Sequence, residues 1–152
     1  MEVARAGFAD NQQANAKRRL SAARKKEGGT MTLVEAVREM LISAAISPVY
    51  IIDCPEKGAA VLVTPYMSQS YDGVPVGEQR FQIYCAANSY PESETAAWAA
   101  FRALEDRAVP ECDREILGGV RALQEPFYLD KDASGRYVHC FNIAVSAVWK
   151  GE

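Results

Sequence analysis

Apolar residues recur at helical spacing soon after Met31: Leu33, Val37, Leu41 and Ala44, with Val34 and Ala45 widening the stripe. Thr32 and Glu35 have the form of a capping box, the cap oxygen and the glutamate each satisfying an amide left free at a helix start. The pattern predicts a helix over 32–46, stopped at Ser47-Pro48 because proline lacks the amide that the ladder needs. Two short apolar runs, 49–52 and 59–66, read as strands joined by the turn residues of "DCPEKG". A long loop is expected over 67–78, "MSQSYDGVPVGE". A strand over 80–87 and a helix over 92–107 follow, with Pro91 in the helix's first turn and Ala97, Phe101, Leu104 and Ala108 on one face. "PECDRE", 110–115, reads as a loop.

The final third, beginning "RALQEPFYLDKDASGRYVHCFNIAV" at 121–145, reads as a hairpin turned by Asp130, Asp132 and Gly135. Its second arm alternates cleanly. Tyr137, His139, Phe141, Ile143, Val145, Ala147 and Trp149 share one apolar face, and Val138, Cys140, Asn142, Ala144, Ser146 and Val148 a mixed one. The element order is α-β-β-β-α-β-β, and no helix links every pair of strands. An α+β fold is therefore predicted: a single mostly antiparallel β-sheet of about five strands with two α-helices packed on one face. The core is expected to include Val37, Leu41, Phe101, Leu104, Phe141, Ile143 and Val145. The run 136–149 has 14 residues, against a usual strand of about 3–10. Either a bulge bends it, or one end runs out to a neighbour.

Composition changes this picture little, and charge changes it more. At 152 residues, 49% hydrophobic and 24% charged, the chain fits one soluble globular domain. It contains no apolar run long enough to span a bilayer and no secretory signal pattern, so no membrane partner is expected. Residues 1–30 hold seven Lys/Arg against three Asp/Glu, net +4, whereas 31–152 hold ten against seventeen, net −7. The division at Gly28-Gly29 separates a basic leader, 1–30, from a body, 31–152. The leader has no sustained apolar stripe and reads as a solvated or disordered arm. Lys17, Arg18, Arg19, Arg24, Lys25 and Lys26 would give it the means to touch nucleic acid or an acidic partner. A further reading is that it is not translated: Lys26 to Met31 back-translates as AAG GAG GGN GGN ACN ATG, a purine-rich ribosome-binding sequence shortly before a start codon.

Candidate chemistry is sparse. Cys54, Cys85, Cys112 and Cys140 are widely separated with no C-x-x-C pair, and are expected as thiols rather than as a disulfide framework or a metal site. No phosphate-binding or nucleophile-elbow motif is present, and Gly118-Gly119 precedes a strand rather than a helix. His139 and Cys140 are neighbours on a strand and point to opposite faces, so they do not form a nucleophile–base pair; His139 reads as a core-edge histidine. Asp130 and Asp132 lack the other ligands of a calcium loop and read as turn residues. No catalytic residue, cofactor or metal ligand is expected.

The hairpin carries a resemblance. Arg121-Ala-Leu-Gln, Pro126, Leu129, Asp130, Gly135-Arg136 and Phe141-Asn142-Ile143 resemble the C-terminal hairpin of the tail terminator family of long non-contractile-tailed bacteriophages, often labelled minor capsid proteins. "FQIYCAANSY", 81–90, is similar to the family's strand leading into its second helix, and the likeness covers about 31–149. Cys85-Ala86-Ala87 stands where the family often has a basic residue, which puts a charged contact there in doubt. The resemblance implies a structural virion protein at the head–tail junction, assembled in the bacterial host cytoplasm. It would form a hexameric ring of its own copies, cap the tail tube protein, end tail polymerisation and offer a surface to a head-completion or connector protein. Phage DNA would pass through without specific binding, and an acidic body suits that passage. A head–tail connector or tube subunit, and a nucleic-acid-binding adaptor acting through the leader, are the other readings. Assembly contacts are expected in the 67–78 loop (Met67, Ser68, Gln69, Ser70, Tyr71, Asp72, Val74) and in the 129–136 turn (Asp130, Lys131, Asp132, Arg136).

Overall fold

The computed structural model describes residues 30–70 and 76–149. The leader up to residue 29 and the expected contact residues Tyr71, Asp72 and Val74 lie outside the described residues.

The helix predicted after Met31 is α1, Leu33–Ser43. Thr32 caps it by accepting from the Glu35 amide at 3.3 Å, and its hydroxyl donates to the Glu35 carboxylate at 2.9 Å. The glutamate thus meets the cap hydroxyl rather than the cap amide. The second helix, α2, is Tyr90–Leu104, with Ser89 accepting from the Glu92 amide at 3.3 Å and Pro91 in the first turn, where no intrahelical amide is needed.

Among the described residues seven strands form one sheet: β1 Val49–Ile51, β2 Ala60–Ser70, β3 Gly77–Ala87, β4 Arg114–Ile116, β5 Arg121–Ala122, β6 Phe127–Lys131 and β7 Tyr137–Trp149. Their order is β1-β2-β3-β7, with β4, β5 and β6 lying in turn along the far edge of β7. All pairs are antiparallel except β1 with β2. This is the predicted α+β class, with short additional strands along β7.

Alternation explains the layers. Val61 and Val63 of β2, Phe81, Ile83 and Cys85 of β3, and Phe141, Ile143 and Val145 of β7 face the helices, and all are buried. Ala36, Val37 and Leu41 of α1 and Ala97, Ala100, Phe101 and Leu104 of α2 complete the core. Phe101 meets Phe141 edge-on, ring centroids 5.6 Å apart.

Three expectations need correction. Met67, Ser68, Gln69 and Ser70 are not loop: they extend β2 and pair with Arg80 to Gly77. A bulge between Pro65 and Met67 accommodates the proline, and the hairpin outruns the core, so its polar residues lack the apolar alternation that marks a strand. Arg114 and Glu115, read as loop, open β4 and pair with Trp149 and Val148. The length of β7 needs neither a bulge in β7 nor an unpaired end: β3 matches it from Tyr137 to Ala147, and β4 extends the pairing to Trp149.

All four cysteines are thiols. Burial pushes Cys85 up to about 12 and Cys140 up to about 11, and Cys112 is buried while Cys54 is half-buried. A thiolate-selective reagent at neutral pH is expected to modify Cys54 quickly and the other three only on unfolding. Two or more fast-reacting thiols in the folded protein, counted by mass, would contradict this core.

Candidate assembly surfaces

The arrangement most like a chemical site is buried. Ser93 of α2 donates its hydroxyl hydrogen to the Cys85 carbonyl at 2.8 Å, and His139 Nδ1 lies 2.8 Å from the same oxygen. A hydroxyl has one hydrogen, so His139 Nδ1–H must be the donor to Ser93. Nε2 is then a bare acceptor with no hydrogen-bond partner among the described residues, 4.0 Å from Glu94 Oε2. The rings of Tyr90 and Tyr128 cover the imidazole at centroid distances of 4.6 and 5.4 Å, and Tyr137 packs against both tyrosines. Serine, histidine and glutamate here do not make a nucleophile: Ser93 is fully buried and its hydrogen is committed to a carbonyl. The group fixes the start of α2 to β3 and β7.

Desolvation lowers the His139 pKa from its ordinary 6.5, with Glu94 opposing. The unfolded chain therefore binds a proton that the folded chain refuses, between the depressed value and 6.5. Stability from this site is full above that window and lost as pH falls through it. Melting temperature is expected to drop from pH 7 to pH 5, and less steeply in His139→Gln. Ser93→Ala, which strands the imidazole N–H and removes the second hydrogen bond to the Cys85 carbonyl, is expected to cost about 1–3 kcal/mol. An unchanged melt in Ser93→Ala would refute the hydrogen-bond assignment.

The 129–136 turn is built by Asp132. Its Oδ1 accepts from the Ser134 amide at 3.0 Å and the Arg136 amide at 2.9 Å, and its Oδ2 from Arg136 Nε at 2.7 Å. Partial burial opposes ionisation, but these bonds outweigh it and hold the Asp132 carboxyl below the usual range. Arg136 Nη1 donates to the carbonyls of Pro55 and Gly58 at 3.0 and 3.1 Å, tying the turn to the loop after β1. Arg136 is therefore buried, whereas Asp130 and Lys131 are exposed on β6. Asp130 accepts from the Lys131 amide at 2.7 Å and has no ion pair among the described residues. No group of three His, Cys, Asp or Glu side chains is placed to hold a metal ion among the described residues.

At the hairpin end, Glu78 is buried beneath two arginines: Arg80 at 3.2 Å on its own strand, and Arg121 reaching from β5 across β7. Met67, Ser68 and Gln69 are exposed beyond the core. On the sheet face away from the helices, Ala60, Leu62, Tyr84, Ala86 and Val138 floor a groove of about 280 Å³, walled by Leu129. The sequence reading missed this groove. Its signal was the mixed face of β7, where Val138 and Cys140 are too apolar for a solvated surface. Phe127, Tyr128 and Leu129 stand exposed in succession on β6, at the edge of the sheet.

The described residues leave apolar side chains exposed on β2 and β6, beside the open groove. No helix among the described residues is long and apolar enough to cross a membrane. The family model of the bacteriophage tail terminator protein matches residues 10–149, and the chain belongs to that family. It is thus a structural protein of the phage tail. The matched span begins inside the leader, upstream of the resemblance that starts at residue 31. A solved chain from the virion of a native gene transfer agent particle is similar in fold, with a TM-score of 0.62 and 16% identity. The likeness covers 77% of this chain and 95% of that one. A search of curated proteins found no match.

Proposed function

We propose that the chain forms a ring that caps the tail tube, ends its polymerisation and presents a surface to a head-completion or connector protein at the head–tail junction. Family membership carries this reading. The geometry supports it: both ends of the long β2–β3 hairpin present exposed or open apolar surface, and the histidine cluster is structural. The ring is taken as a hexamer, assembled in the host cytoplasm, with DNA passing through it unbound. No catalytic or cofactor role is assigned.

The contacts are placed on the hairpin end (Met67, Ser68, Gln69, Ser70, with Tyr71, Asp72 and Val74) and on Asp130, Lys131 and Asp132 of the turn. Arg136, expected among these contacts, holds that turn in shape. The leader, 1–30, is read as an arm without stable contacts or as absent from the native protein; intact mass of protein made from its own operon decides between these.

Native mass spectrometry and electron microscopy of the purified chain, alone and with tail tubes, test the ring. Closed rings burying more than about 1,000 Å² per contact are expected. A monomer under every condition, with no density at tube ends, would refute the reading.

A further inference from the structure

The sheet face away from the helices has a hole at one end and a knob at the other. The hole is the groove over Leu62, Tyr84 and Val138, with Leu129 as its wall. The knob is Tyr66 and Met67, exposed by 39% and 44%. Met67 stands opposite Arg80, whose neighbours across β7 and β5, Ala144 and Arg121, place it on the groove's face of the sheet. Tyr66 lies near the same arginine and helps raise its pKa, after Glu78. Met67 is five positions beyond Leu62 along β2, about 16 Å at roughly 3.3 Å per residue. A chain's own knob cannot reach its own groove.

Charge matches the same way. Glu78 takes two guanidinium groups, Arg80 and Arg121, so one positive charge is in excess beside the knob. At the groove Asp132 is neutralised by Arg136. Lys131 also lines the groove, but its ammonium lies over Tyr137, on the helix side of the sheet. Asp130 is left as the excess negative charge on the groove's lip.

We propose that Tyr66 and Met67 of one copy seat in the groove of a second copy, with Arg80 and Arg121 brought toward its Asp130. The proposal rests on the reading of the chain as a self-assembling subunit and adds which surfaces pair. Because knob and hole are different patches, the contact is heterologous, and each added copy leaves one of each unfilled until the assembly closes.

Cysteine cross-linking tests the pairing, in a Cys54→Ser background because Cys54 lines the groove. Mixed Met67→Cys and Leu129→Cys chains under mild oxidation are expected to form a disulfide-linked pair that neither variant forms alone. Met67→Glu, a change at an exposed position, is expected to fold normally and to assemble at least about tenfold more weakly, since it would bury a carboxylate in an apolar groove. Rings that form without the mixed cross-link, and tolerate Met67→Glu, overturn the pairing and leave the ring standing. A mixed cross-link confined to closed dimers keeps the pairing and overturns the ring. A chain that stays monomeric contradicts both. If the groove thiol of Leu129→Cys is shielded in the monomer and unmasked by removing residues 1–29, the leader is the occupant and the proposal falls.

Discussion

Phe141→Ala is expected to destabilise the chain by about 3–5 kcal/mol, the range for truncating a buried phenylalanine. Phe141 is fully buried at the middle of β7, the strand that pairs with four others. Its ring packs edge-on against Phe101 of α2, and Ile83 lies opposite it on β3. Truncation therefore opens a cavity between sheet and helix where neither can collapse, because β7 is held on both sides. A loss of that size lowers the melting temperature by roughly 10–20 °C in a domain of this length. Ser68→Ala, on the exposed part of β2, serves as the comparison and is expected to change stability by less than about 0.5 kcal/mol. Equal melts for the two variants would show that the assigned faces of the sheet are wrong.

The second large effect is on assembly and leaves stability alone. Ser70 and Gly77 are cross-strand partners, so the segment between them can be replaced by Asn-Gly, which closes a two-residue hairpin. The replacement removes Tyr71, Asp72 and Val74 and touches no buried residue of the core. The expected product is a folded monomer with the wild-type melt that forms no rings and caps no tubes. Normal rings from this variant would remove residues 71–76 from the assembly surface.

The period-two pattern of β7 and the helical stripes of α1 and α2 were legible because each element buries one face in a single core. Register and side followed: Val37, Leu41, Phe101, Leu104, Phe141, Ile143 and Val145 are all buried. Elements held together by something other than that core were not legible. Met67 to Ser70 form a strand because Arg80 to Gly77 lie alongside, and Arg114 and Glu115 because β7 extends past the helices. Such pairing is made by backbone groups, and side chains leave no trace of it. Arg136 illustrates the converse. It was expected at a contact as part of the 129–136 turn, and Asp132 and two carbonyls draw it inward. Partnership rather than residue type decides whether a charge is buried. The groove was missed for a third reason: its floor comes from three strands and its wall from a fourth, a conjunction visible only once they are registered.

Tail length in particles made without this chain tests the account most directly. A protein that ends tube polymerisation leaves, when it is removed, tubes of uncontrolled length that fail to join heads. Electron micrographs of such a lysate are expected to contain filled heads beside overlong, headless tails, with normal virions restored by the wild-type chain but not by the Asn-Gly hairpin variant. Tails of normal length joined to heads in the absence of the chain would contradict the account.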